Sequence, residues 1–417
     1  MAVRDIVISQ KKEFERKQHE RYIDRDAQIR EIDSGLVNVI IGPRRAGKSS
    51  FVLHQVARAG NTGYVNFDDE RLAGIQEYDE IIAAVDEVYG KPEFLFFDEI
   101  QNIPKWEIFV NRLHREGRRL IITGSNSNLL SAELSTHLTG RHTQTTILPF
   151  SFGEYLTATG DEKTQKHDLL RKYAETGGFP EPLVKNLDHR DYLSTLFDSI
   201  VYKDIVKRFR IRYAAGLDDL AQYLLANIAH EYSYNTLAKL TKCKSAHTVQ
   251  KYLGYLEEAY LFFSLPRFSW KYRAQVSANK KIYCIDNGIV TAKSFQFSEN
   301  RGQLLENLVA VELKRREIQE KTRIFYWKNQ DQHEVDFVVF RRNKIDTLIQ
   351  VCYDMGTMKT RERELRSLVL AGKELNCDNL LMLTDKEEGS ETVSWFGAKG
   401  TVIFQPVWKW LLADTTR

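Results

Sequence analysis

Apolar residues along this chain change rhythm several times. Near the start, "LVNVII" (36–41), "FLFF" (94–97) and "RLIIT" (119–123) are short unbroken apolar runs. Such runs suit strands covered on both faces, as in a parallel sheet. "TGYVNFDDE" from Thr62 and "TQTTILPF" from Thr143 add two more strands. Between them, "SFVLHQVARA" carries apolar residues at helical spacing. Strands alternating with helices predict a doubly wound α/β sheet.

From 150 to 210 the spacing is helical, broken at Gly177. Leu237 and Leu240 then mark a short helix. "TKCKS" is a turn with Ser245 as N-cap, and Val249, Leu253, Leu256, Tyr260 and Phe263 recur at helical spacing. "LFFSLPRF" into "SWK", and "KKIYCID", read as strands. Helix, turn, helix and a two-stranded wing form a winged-helix pattern. Further on come an amphipathic helix, "RGQLLENLVAVELKRR", and three strands, "IFYWK", "EVDFVVF" and "DTLIQVCY". A charged helix, "NLLMLTD" and a last strand "TVIFQPVWKWLL" complete a second α/β domain.

Composition narrows this picture. Hydrophobic residues at 42 % support ordinary cores and exclude a disordered chain. A net charge of +3 excludes a protein drawn to polyanions by bulk charge, but allows a local basic face. Cys243, Cys284, Cys352 and Cys377 lie far apart without a C-x-x-C pair, which argues against zinc or disulfides and for a cytoplasmic location. No apolar run approaches the ~18 residues of a membrane span. The charged opening, residues 1–21, reads as an N-terminal arm or helix and lacks a signal-peptide core.

The chemistry begins where the first strand ends. "GPRRAGKS" sets Gly42 and Gly47 in tight bends between strand and helix. Backbone N–H groups of Gly42, Pro43, Arg44, Arg45, Ala46, Gly47, Lys48, Ser49 and Ser50 (Pro43 excepted as a donor) are placed to wrap phosphates, helped by the helix N-terminus. Lys48 suits the β- and γ-phosphates, and Ser49 suits Mg²⁺. The acid strand follows about 50 residues later. Asp98 is expected to hold Mg²⁺ through water and Glu99 to polarise the attacking water. Ser125 and Asn126, after the third strand, are either γ-phosphate contacts or an ordinary polar turn. Arg141 is either an arginine finger, in cis or toward a neighbouring copy, or a structural ion-pair partner.

Together "GPRRAGKSS", "LFFDEIQNIPKW", "ITGSNSNLLS", "LTGRHTQTTILPFSFGEYL" and "GGFPEPLV" resemble the AAA-type ATPases of archaea and bacteria. These join an ATPase core to a winged-helix segment and a restriction-endonuclease-like domain. The resemblance implies a P-loop core over 22–155, a helical lid over 156–215, a winged helix over 216–290 and a nuclease-like domain over 291–417. It also implies that the Gly177–Gly178 loop lies beside the nucleotide with Pro180 on the adenine; read from residues alone, that loop is a helix stop and restart.

Two further surfaces bear on partners. Lys203, Lys207, Arg208, Arg210 and Arg212 form a basic cluster that suits phosphates or a solvated face. His247, Thr248, Gln250 and Lys251 stand near the start of the second winged-helix helix, and Lys271, Arg273, Lys280 and Lys281 on the wing. These suit DNA, although such modules also serve as lids and protein docks. In the nuclease-like domain, Glu306 and Asp336 match magnesium ligands, but Gln350 stands where an acid is needed and Cys352 where a lysine is needed. A neutral amide is a poor magnesium ligand and a thiol supplies no positive charge, so cleavage is not expected. Displaced lysines, Lys328 or Lys344, are the conceivable rescue. The expected function is a Mg²⁺-dependent ATPase acting on DNA or a protein. Alternatives are a nucleotide switch with negligible turnover and an ATP-driven nuclease.

Overall fold

The computed structural model describes all residues except 1, 30, 31, 33, 59, 76, 126–137, 139, 294–300, 321, 357 and 414–417. The chain divides into two compact units. One is residues 1–150 with 184–186 and 258–260, and the other is the remainder.

In the first unit, β1 (Val37–Ile41), β2 (Thr62–Asn66), β3 (Phe94–Asp98), β4 (Arg119–Gly124) and β5 (His142–Thr146) form one sheet in the order β2-β3-β4-β1-β5. Every pair is parallel. β1 and β3 are buried along their whole length, which is why they read as unbroken apolar runs. Its helices among the described residues include α1 (Val3–Gln18), α2 (Lys48–Val56), α3 (Tyr78–Tyr89) and α4 (Trp106–Arg115). The N-terminal residues are not an appended arm. Ile6, Val7 and Phe14 of α1 enter the same core as the sheet. Buried Gln10 fixes the helix to the end of β2, donating to the Asn66 carbonyl at 3.1 Å and accepting from its N–H at 3.0 Å.

The second unit opens on a capped helix. The Ser151 hydroxyl accepts from Glu154 N–H, and the Glu154 carboxylate accepts from Ser151 N–H. This reciprocal cap is the physical content of "SFGE". Helices Phe152–Thr159, Lys166–Thr176, Pro180–Lys185 and His189–Ser199 follow, then a π-helical stretch, Ile200–Lys207.

Helix Ala214–Ala226, β6 (Glu231–Tyr232), helices Tyr234–Leu240 and Ala246–Glu258, β7 (Phe262–Pro266), helix Tyr272–Ser277 and β8 (Lys280–Cys284) come next. The three strands pair antiparallel in the order β6-β8-β7. Two strands were expected. The third, β6, is two residues long and so too short for a period-2 signal. The run into "SWK" does not continue as a strand of this sheet: pairing stops at Pro266, and Lys271 and Arg273 lie at the start of a helix instead.

The C-terminal part packs helix Arg301–Glu320 and helix Met358–Leu375 with a six-stranded mixed sheet. Its strands are β9 (Arg323–Lys328), β10 (Glu334–Arg341), β11 (Lys344–Cys352), β12 (Leu380–Thr384), β13 (Gly389–Trp395) and β14 (Ala398–Pro406), in the order β13-β14-β12-β11-β10-β9. The expected last strand is shorter than its apolar run. Its tail, Val407–Leu412, is helical and begins right after Pro406. No helix among the described residues is long and apolar enough to cross a membrane.

Candidate nucleotide site

The glycine loop joins β1 to α2. Gly42 has φ +144°, and a Cβ there would lie 2.0 Å from the Ile147 carbonyl oxygen, so only glycine fits. Gly47 is left-handed at φ 91° and precedes the first helical residue, Lys48. With no side chain to cap α2, it leaves the first-turn N–H groups open toward a ligand. Arg45 is also left-handed, at φ 64°, which bends the crest of the loop.

Lys48 is buried, and its ammonium folds back on its own loop, donating to the Gly42 and Pro43 carbonyls at 3.1 and 3.0 Å. Its Nζ lies 4.0 Å from Glu99 Oε1. The Ser49 hydroxyl donates to Asp98 Oδ1 at 2.8 Å. Asp98 is buried at the end of β3 and also accepts from Tyr64 OH at 3.3 Å and from the Thr123 hydroxyl. Burial, then the neighbouring Glu99 charge, holds the Asp98 carboxyl above its ordinary range. The Tyr64 phenol is pushed up by burial and by Asp98. Glu99 is left-handed, with φ 52°. Its N–H donates to Thr123 Oγ1 at 3.0 Å, and its carboxylate accepts from Gln101 Nε2 at 2.5 Å.

The strand order explains the meeting. β4 lies between β1 and β3, so its terminal Thr123 sits between the glycine loop and the acid pair. Thr123, near the end of β4, makes a polar contact with both acids. Asn126 lies outside the described residues. Three contributors were not anticipated. Thr123 was visible only as the last letter of an apolar run. Tyr64 reaches Asp98 from the adjacent strand. Arg25 donates to the Ala46 carbonyl at 2.9 Å and the Leu148 carbonyl at 2.5 Å and stacks over Phe150, tying the loop crest to the segment after β5.

Arg141 needs a correction. It precedes β5, and its carbonyl accepts from Val37 N–H at the start of β1. The phosphate loop leaves the other end of β1, four residues on, about 13 Å away along the strand. An arginine side chain does not bridge that separation and still engage a phosphate, so Arg141 is no finger for its own site.

In the second unit, the Gly177–Gly178 loop has a partner that the sequence did not announce. Buried Asp286 accepts from Gly178 N–H at 2.7 Å and Gly288 N–H at 2.9 Å. A Cβ on Gly177 would lie 1.9 Å from Asp286 Oδ1. Desolvation pushes this carboxyl up to about 7 against those hydrogen bonds. Pro180 begins the next helix. His247, Gln250, Lys251, Lys271 and Arg273 are exposed, and Thr248 is half-buried and bonded to the capping Ser245. In the C-terminal part, Asp336 and Gln350 are buried on adjacent strands and Glu306 faces them from its helix. Cys352 is buried, with its thiol pushed up to about 11 by burial. Lys328 is paired with Glu231 and Glu334, and Lys344 is exposed at the β10–β11 turn.

A five-stranded parallel sheet, a glycine loop ending in Lys-Ser and a strand-end acid pair define a P-loop nucleotide-binding protein. Residues 34–156 match an AAA domain family. Residues 167–300 and 301–396 match two domains of unknown function, DUF8612 and DUF4143. The chain is 35 % identical over 413 residues to the uncharacterized protein MJ1544 of Methanocaldococcus jannaschii, covering 94 % of this chain and 91 % of that one. It is 30 % identical over 359 residues to an uncharacterized protein of Haemophilus influenzae, covering 81 % and 86 %. The chain belongs to the AAA-type P-loop ATPase family. Among solved structures, the match to the Walker-type ATPase PABY2304 of Pyrococcus abyssi covers 65 % of this chain and 96 % of that one at 14 % identity, with a TM-score of 0.46.

Proposed function

We propose that this chain binds and hydrolyses ATP with Mg²⁺ and couples that cycle to DNA through a winged helix formed by residues 214–284. The observation that carries the reading is the convergence of Lys48, Ser49, Asp98, Glu99 and Thr123 on one loop. Lys48 is held by two carbonyls of its own loop, from which it turns to the β- and γ-phosphates of incoming ATP. The Ser49 hydroxyl and Asp98 carboxylate are a hard-oxygen pair that fits Mg²⁺, which when bound neutralises charge on the phosphate oxygens. Glu99 orients the attacking water and takes its proton on a carboxylate oxygen. Thr123 fixes both acids, one through its side chain and the other through its N–H.

Support for DNA is the exposed row His247, Gln250 and Lys251 on one helix, and Lys271 and Arg273 alternating with exposed Trp270 and Tyr272. A second reading, a nucleotide switch with slow turnover, is favoured by one contact: Gln101 holds the Glu99 carboxylate at 2.5 Å, so the base must be released before it acts. Arg141 serves as a finger only if a second copy presents it. ATP turnover with and without duplex and single-stranded DNA tests the proposal, with Lys48→Ala as control. DNA-stimulated turnover that Lys48→Ala abolishes is expected. Turnover indifferent to DNA points to a protein partner, and bound but unhydrolysed ATP points to the switch.

A further inference from the structure

The C-terminal carboxylates have an occupant from elsewhere in the chain. Lys281, on β8 of the three-stranded sheet, is buried, with its side chain 3 % exposed. Its ammonium lies 2.7 Å from Glu334 Oε1, 3.0 Å from Glu306 Oε1 and 3.0 Å from Asp336 Oδ1. The surroundings close the cage. Tyr283 OH donates to Glu306 Oε1 at 2.7 Å, and Val351 N–H donates to Asp336 Oδ2 at 3.0 Å. Lys328 takes the second oxygen of Glu334 at 3.3 Å.

This set does not fit the magnesium ion that a nuclease-like domain implies. Mg²⁺ draws oxygens to about 2.0–2.1 Å, and here the Lys281 ammonium already occupies the point on which the three carboxylates converge. The Gln350 amide is committed at both ends, its oxygen to Asp336 N–H at 3.2 Å and its nitrogen to Glu364 Oε2 at 2.7 Å. As they stand, no group of three or more His, Cys, Asp or Glu side chains among the described residues is arranged to hold a metal ion.

We propose that Lys281 is the resident cation of this carboxylate cluster, standing where a divalent ion would bind, so that the site locks the three-stranded sheet to the C-terminal sheet and cleaves nothing. An ammonium amid three carboxylates supplies the hydrogen bonds and positive charge that their burial requires. Three anions around one point are also what a hard divalent cation would accept once the ammonium is gone. Glu306, pushed up to about 7 by burial and then by Asp336, fits a cluster richer in carboxylates than in cations.

The test is Mn²⁺ binding by the full-length chain without nucleotide, read from the electron paramagnetic resonance of free Mn²⁺. Four chains are compared: wild type, Asp336→Asn, Lys281→Ala and Lys281→Ala with Asp336→Asn. Lys281→Ala is expected to bind one Mn²⁺ more than wild type, and adding Asp336→Asn to lose it. Wild type and Asp336→Asn are expected to bind equally. A wild-type Mn²⁺ that Asp336→Asn removes would overturn the proposal, as would a folded Lys281→Ala chain with no extra ion. If Lys281→Ala unfolds without metal, recovery of cooperative melting on adding Mn²⁺ supports the proposal and failure to recover overturns it.

Discussion

Two buried lysines meet carboxylates in this molecule, and they are held in opposite ways. Lys48 is restrained by two neutral carbonyls and stands 4.0 Å from the Glu99 carboxylate. Lys281 makes close ion pairs with three carboxylates. A carbonyl is a weaker partner than a carboxylate, so Lys48 is exchangeable for a phosphate at small cost. Releasing Lys281 would strand several buried negative charges, which is far costlier. The same side chain is thus a ligand-binding group in one setting and a structural cation in the other, and burial alone does not separate the two.

Substitutions at each lysine sharpen that contrast. Lys281→Met leaves the carboxylates without their ammonium and is expected to destabilise the chain by about 3–5 kcal/mol, seen as an earlier denaturant midpoint. An unchanged midpoint would make the cage dispensable. Lys48→Ala is expected to cost turnover about 10²–10³-fold while the melting temperature without nucleotide moves little, because its two hydrogen bonds to loop carbonyls are to neutral groups and Glu99 lies 4.0 Å away. A large drop in stability would show that Lys48 is structural too.

A third buried charge, Asp286, extends the comparison to pH. Its carboxyl keeps a proton up to about pH 7 when folded and loses it near its ordinary 3.8 when unfolded. Between these values the folded chain binds more protons, so this group makes stability fall as pH rises from about 4 to 7, by an amount on the order of a few kcal/mol. Unfolding free energies across that window should therefore slope less steeply in Asp286→Asn than in wild type. The smallest effect belongs to Arg25. Arg25→Ala removes two charge-assisted bonds to the carbonyls of Ala46 and Leu148 and is expected to raise KM for ATP about tenfold with a smaller change in kcat. Steady-state kinetics at varied ATP would decide it.

What could be read in advance was whatever is contiguous. The glycine loop, the acid pair and the strands that carry them are local patterns, and the parallel sheet followed from runs such as "FLFF". The neutral residues Gln350 and Cys352, where a nuclease-like site would need an acid and a lysine, were equally local. Contacts between distant segments were not legible. Arg25 meets Leu148 across 123 positions, and Lys281 meets Asp336 across 55. No periodicity links such pairs. Lys281 looked like one more basic residue on a DNA-facing wing, and only the pairing of β8 turned it inward. Only the in-cis role of Arg141 was closed, for a related reason, since its place at the far end of β1 depends on strand register.

In the proposed function, the acid pair beside the glycine loop divides its labour, with Asp98 on the metal side and Glu99 on the water. Mg·ATP binding and single-turnover hydrolysis by Glu99→Gln, alongside wild type, test it most directly. The account predicts that the variant binds ATP about as tightly as wild type and hydrolyses it about 10²–10⁴-fold more slowly. Hydrolysis by Glu99→Gln at the wild-type rate would contradict it.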